Sequence, residues 1–165
     1  MTTTGFAQRI VGLIGFMLAP DGRVWFTEFG AGKVGVLDPM TRRIREYAVP
    51  GRPNIPAVAV APDGTVWFTS IQGSLYGLTP SSGRLRRIVL PAAGDYGIAV
   101  SHDGRLWVGR NGGRTMYAVQ AGSGRVSTRR LPAGSAPWWP VVDSRGYVWV
   151  ALAGALVGGV AQLDP

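Results

Sequence analysis

Cysteine is absent from the 165-residue chain, which excludes a disulfide scaffold, a thiolate nucleophile and any cysteine zinc site. Histidine is reduced to His102, and the only glutamates among nine acidic residues are Glu28 and Glu46, so acid–base chemistry has few candidates. Lysine is reduced to Lys33, and arginine carries nearly all of the basic side of a net charge of +8. Long apolar runs are missing as well. The best one, Ile10 to Ala19, follows Arg9 in the manner of a signal peptide, but no small-x-small cleavage site precedes Asp21 and the run is too short to cross a bilayer. It leads into PDGRVWF in the register of later segments and is read as a core strand. The expectation is a soluble chain without a membrane partner, a cytoplasmic location being slightly preferred.

What the chain has in abundance is glycine and proline, together 37 residues, alongside 46% hydrophobic and only 16% charged residues. That mixture suits many short strands joined by turns, in one domain with a single core.

Tryptophan supplies the ruler. Trp25, Trp67, Trp107 and Trp149 are spaced 42, 40 and 42 residues apart, each after a turn: PDGRVW, PDGTVW, HDGRLW and SRGYVW. The downstream halves repeat too, as VGVLDPMTRRIREYAVP, LYGLTPSSGRLRRIVLP and MYAVQAGSGRVSTRRLP. Within a unit the apolar segments are short, β-branched or aromatic, and bounded by Asp-Gly, Ser-Gly or proline, which is the strand and hairpin signature. In the second unit the strands are expected near 56–61, 65–70, 74–79 and 84–90. Runs such as VWFT and AVAVA are apolar on successive residues and need cover on both faces. Radial stacking provides it, so the fold class is all-β, a β-propeller of four four-stranded blades. A single domain spans 1–165, with blades near 12–50, 51–91, 92–132 and 133–165.

The fourth unit ends before an outermost strand, while TTTGFA falls in outermost-strand register. Residues 3–8 are therefore expected to complete the last blade beside its third strand, roughly Val157 to Leu163. Three closures stay open: a four-bladed ring, a homodimer forming an eight-bladed ring, or part of a longer propeller.

The unit DGRVWFTEFGAGKVGVLDPMTRRIREYAVP resembles the repeat of the virginiamycin B lyase (streptogramin lyase) family. The match runs through Asp21-Gly22, Trp25-Phe26-Thr27-Glu28, Gly32-Lys33-Val34-Gly35 and Tyr47 to Pro50, and covers nearly the whole chain. The resemblance implies a propeller, usually seven-bladed, whose founding enzyme opens the ester-closed ring of streptogramin B antibiotics by elimination, with a divalent metal, a histidine base and glutamates. The histidine position it implies lies eleven residues before a blade's tryptophan. Here those positions hold Ile14, Pro56, Tyr96 and Trp138, none of which takes a proton at neutral pH. His102 lies instead in the SHDG turn, where an exposed turn residue is expected.

If the innermost strand runs toward the Asp-Gly turn, the second-to-third loops and the blade-to-blade crossovers share the opposite end of the propeller. The crossovers bring Arg52, Asn54, Asp95, Tyr96, Trp138 and Trp139. The loops bring Glu28, Lys33, Arg110, Asn111 and Arg114. An aromatic floor with a few converging polar groups suits a small organic or cyclic-peptide ligand. The binding candidates are Tyr96, Trp138, Trp139, Asn54, Asp95, Arg110 and Asn111. Glu28 is the one weak catalytic candidate, no metal ligand set or cofactor is evident, and magnesium enters only under a lyase reading.

The expected function is a lyase-like binding scaffold without the catalytic histidine. The alternatives are a lactone-opening carbon–oxygen lyase and a polyanion binder using a basic rim. That rim comprises Arg42, Arg43 and Arg45, then Arg84, Arg86 and Arg87, then Arg125, Arg129 and Arg130, all on or beside outermost strands. Charge there protects exposed edges from stray sheet pairing. A positive field attracts polyanions, but without a recognition helix, ribonucleoprotein motif or zinc finger nucleic acid is not the expected partner.

Overall fold

A computed structural model of the chain describes residues 12–154 and 158–164, the side chains of residues 95 and 96 excepted. Blade one comprises β1 (Leu13–Leu18), β2 (Val24–Glu28), β3 (Lys33–Asp38) and β4 (Arg43–Ala48); blade two comprises β5 (Val58–Val60), β6 (Val66–Ser70), β7 (Ser74–Thr79) and β8 (Arg84–Val89). Blade three comprises β9 (Asp95–Val100), β10 (Arg105–Arg110), β11 (Thr115–Gln120) and β12 (Val126–Arg130), and blade four β13 (Pro137–Val142), β14 (Val148–Ala153) and β15 (Gly158–Leu163). Every sheet is an antiparallel meander in chain order, and the four are arranged about a common axis as a four-bladed β-propeller. The described residues contain no helix long and apolar enough to cross a membrane.

The first hairpin of each blade is fixed by glycine. Gly22, Gly64, Gly104 and Gly146 all have φ between 79° and 89°, a left-handed conformation that a Cβ penalises. Each donates its N–H to the carbonyl three residues back, at Ala19, Ala61, Ser101 and Asp143. In blades one to three an aspartate just before the glycine accepts the N–H two residues on, as Asp63 does from Thr65 at 2.9 Å.

Alternation along the strands then gives each blade two apolar faces. Trp25 pairs across with Val36, and Val36 with Arg45; this face packs on the other side's counterpart in blade two, Val58, Val66, Phe68, Tyr76 and Leu78, in one buried cluster. Trp67 enters the cluster between blades two and three, and Trp107 the cluster between blades three and four. The tryptophan therefore always points to the following blade. Trp149, in blade four, is only half-buried, and among the described residues no buried cluster joins blade four to blade one. The expected N-terminal strand near residues 3–8 lies outside the described residues.

Candidate functional site

The crossovers and the second-to-third loops meet at one end of the propeller. Ile71, in the loop after β6, donates its N–H to the Asn54 carbonyl at 3.2 Å, and Gly94 donates to Ile71 at 2.9 Å. Arg110 Nε donates to the Ala93 carbonyl at 3.2 Å, and Ala136 N–H to Gly113 at 3.0 Å. Asn54, Arg110 and Asn111 thus share this end with the start of β9, whose Asp95 lies opposite Arg110 in the ladder. Of Tyr96 only the backbone is described, as the second residue of β9.

Trp138 and Trp139 lie in strand β13 rather than in the crossover that was expected to carry them. The inner edge strand tolerates Pro137 and Pro140 because only one of its sides pairs, and a register irregularity between the two prolines accommodates them. The indoles stack with centroids 6.5 Å apart and planes 12° from parallel. Trp139 is 43% exposed. Their position is set from behind by blade three: a Cβ on Gly97 or Gly109 would run into the Trp138 carbonyl oxygen. Glycine at both points lets the β13 backbone sit directly on β9 and β10.

Glu28 belongs to a different surface. Cross-strand pairing places Glu28 opposite Lys33, and Phe26 opposite Gly35, which in turn opposes Glu46. By the two-residue period Glu28, Lys33 and Glu46 share the face of blade one turned away from blade two. Lys33 Nζ lies 2.8 Å from Glu46 Oε2. Glu28 is 3% exposed, and its Oε1 is buried without a hydrogen-bond partner. Burial, and then the charge of Glu46, push the Glu28 carboxyl upward, while a hydrogen bond from Lys33 holds Glu46 low. Of the two carboxyls Glu28 is therefore the first to take up a proton as pH falls. Two carboxyls already served by an ammonium are a poor donor set for a divalent cation, and the described residues contain no group of three or more metal-ligating side chains. The metal implied by the resemblance does not fit these residues.

His102 is exposed and sits at the opposite end of the propeller, where the Asp-Gly turns of blades two and three border a 410 Å³ pocket. That end also holds what the sequence reading missed. A cleft of 740 Å³ opens between blades one and two, walled by Trp25, Tyr47, Arg45, Asp38 and Asp63. Tyr47 stacks on Trp25 at 5.9 Å, lies under the Arg45 guanidinium at 4.7 Å, and donates its hydroxyl to the Pro80 carbonyl at 3.1 Å. One blade further on, Arg86 donates to the carbonyls of Ala121 and, at 2.8 Å, Gly122. Pro80 and Ala121 occupy the same turn position in successive blades, so an outer-strand side chain clamps the next blade at both junctions. The two clamps do not share a register position, since Arg86 is the counterpart of Arg45 and Tyr47 that of Ile88, so the repeat carried no periodic signal for them, and a charged edge residue explains itself too easily as solvated.

Comparison with known proteins extends this geometry. A family model described as the virginiamycin B lyase family matches residues 3–163. A solved streptogramin B lyase superposes with a TM-score of 0.80 at 25% identity, over 96% of this chain and 56% of that one. A catalytically inactive virginiamycin B lyase from Staphylococcus aureus, solved with quinupristin, gives 0.79 at 22% identity, over 96% of this chain and 57% of the other. A structure described as a putative gluconolactonase gives 0.73 at 18% identity, over 93% and 60%. No curated protein matches the chain. The chain thus spans little more than half the length of the solved lyases it resembles.

Proposed function

The chain belongs to the virginiamycin B lyase family, and from that membership we propose that it is a ligand-binding propeller that takes a cyclic peptide or a comparable lactone ring on its crossover face without opening it. The observation that carries the reading is the stacked Trp138–Trp139 pair, half-presented to solvent and backed by the glycine notch of blade three. A rigid aromatic plate offers a large contact area at little entropic cost, and Arg110, Asn54 and Asn111 on the same end supply polar groups that orient a ring. The positions at which the family resemblance implies a proton-accepting histidine hold Ile14, Pro56, Tyr96 and Trp138.

A second reading, a lactone-opening carbon–oxygen lyase, draws on Glu28. A carboxyl raised by burial is the kind of group that serves as an acid or base near neutrality, and lactonase-like structures are among the neighbours. Against it, the Glu28 group lies on the outward side of blade one, and its donors do not suit the magnesium such a reaction would employ.

Quinupristin, the ligand of the related inactive lyase, separates the two. Titration followed by tryptophan fluorescence is expected to show saturable binding, weakened about fivefold to tenfold in Trp139→Ala for the loss of one stacking contact of ~1 kcal/mol. Mass analysis of the ligand with added magnesium is expected to show an intact ring. Ring-opened product that disappears in Glu28→Gln overturns the scaffold reading in favour of the lyase.

A further inference from the structure

The two end faces of the blade stack expose side chains whose counterparts in the other blades are buried or half-buried in the internal junctions. On blade four Val160 is 67% exposed, although the residues at the same register position in the other blades, Val34, Leu75 and Met116, are each 0% exposed. The pairings establish the equivalence: Val160 opposes Ala151, two residues after Trp149, as Val34 opposes Thr27, Leu75 opposes Thr69 and Met116 opposes Gly109. Val141, 59% exposed, opposes Trp149 as the buried Ala59 and Ala99 oppose Trp67 and Trp107. On the other end, blade one exposes 61% of Phe16 and 68% of Leu18. Their ladder positions, opposite Phe26 and Val24, are those of Val58 and Val60 in blade two, which pack into the first junction.

We propose that a second copy of this chain docks head to tail on these faces, blade four of each copy against blade one of the other, closing an eight-bladed ring. The forward face of blade four repeats the register that accepts a following blade, and the rear face of blade one repeats the register that follows one. The three internal junctions are thus the template for the intermolecular ones. Because the two faces differ, the contact is heterologous, and a two-fold ring is the smallest closed assembly that satisfies both. Eight blades lie within the ~4–8 range in which such rings close, and closure removes two apolar patches that a single copy leaves in water. This proposal does not rest on the ligand reading, and it is tested without ligand.

Light scattering on the full chain reads it directly. The wild type is expected at twice the chain mass of 17.5 kDa, and Phe16→Arg and Val160→Arg are each expected at one chain mass. Both replaced side chains are exposed within one copy, so the β-sheet circular dichroism of each variant should match the wild type. Mixing the two variants is the decisive arm. One intact rear face and one intact forward face then remain, so a two-chain species should return. A wild type at one chain mass overturns the proposal. So does a mixture that stays monomeric, or a Phe16→Arg variant that still dimerises, since that would mean a symmetric contact of blade four with itself.

Discussion

Trp107 Nε1 donates to Ser101 Oγ at 2.9 Å inside the blade-three core, and the same six-residue reach recurs in blade four, where Trp149 Nε1 donates to Asp143 Oδ2 at 3.0 Å. In blade two the acceptor position is Ala61, and Trp67 Nε1 is buried without a partner. The turn backbone is the same in both cases: Ala61 and Ser101 each take the N–H of the turn glycine and donate to the carbonyl at the far side of the turn. A serine at 61 therefore has Trp67 as donor and the Thr65 carbonyl as acceptor, as Ser101 has Trp107 and Arg105. Ala61→Ser should stabilise the protein by about 1 kcal/mol, and Ser101→Ala should cost ~1–3 kcal/mol by orphaning a buried indole N–H. Urea unfolding that shifts both midpoints in the same direction would refute this account.

The glycine notch under Trp138 makes a second prediction. A methyl at Gly109 meets the Trp138 carbonyl and also approaches Pro137 O at 3.1 Å, whereas one at Gly30 meets nothing within 4 Å. Gly109→Ala should destabilise the protein by ~1–3 kcal/mol, as overpacked sites do, and should displace the stacked indoles, changing the near-ultraviolet circular dichroism. Gly30→Ala should leave that signal unchanged. Equal spectra for the two variants would show that β13 is not seated through blade three.

The periodic features of this fold were legible because one residue type answers one repeated geometric demand. Trp25, Trp67 and Trp107 each fill the junction to the next blade, and Gly22, Gly64, Gly104 and Gly146 each supply the same left-handed turn. The end of the propeller that gathers Asn54, Arg110 and Asn111 followed from chain direction alone. Less legible were features set by the distance between blades. That Trp138 and Trp139 continue a strand depends on how closely β13 approaches Gly97 and Gly109, and no single segment encodes that spacing. The same holds for Tyr47 and Arg86, whose role as clamps depends on where the next blade's turn lies.

Those clamps are separable from simple edge protection. If Arg86 only charged the edge, Arg86→Lys would preserve it. Because Arg86 spans two turn carbonyls of blade three, lysine should lose part of the contact and Arg86→Ala all of it, by up to ~1 kcal/mol for a solvent-facing group. Tyr47→Phe should cost a similar amount at the first junction by deleting the hydroxyl that meets Pro80. Hydrogen exchange should localise each loss, with faster exchange around residues 79–84 in Tyr47→Phe and around 120–125 in Arg86→Ala. Equal stability of Arg86→Lys and wild type, with unchanged exchange, would return Arg86 to an edge role.

Glu28 gives the fold an unusual pH dependence. Its carboxyl is raised by burial and by Glu46, so the folded state holds the proton more tightly than the unfolded chain. The stability linked to it is fully present below the ordinary glutamate range and is lost as pH rises through the raised value. Glu46, held low by Lys33, and Asp143, held low by Trp149, have the opposite sign: they support the fold above the ordinary carboxylate range and lose that support as pH falls. Glu28→Gln isolates the first effect. The glutamine amide donates to Glu46 as the protonated carboxyl does, but has no proton to lose. The variant should match the wild type in Tm near pH 4 and exceed it increasingly toward pH 8, an interval spanning the carboxylate range and above. A Tm difference that stays constant across that interval would mean that Glu28 does not titrate with a raised pKa in the folded state, and a variant less stable than wild type at neutral pH would mean that the charged carboxylate is itself a stabilising partner of Lys33.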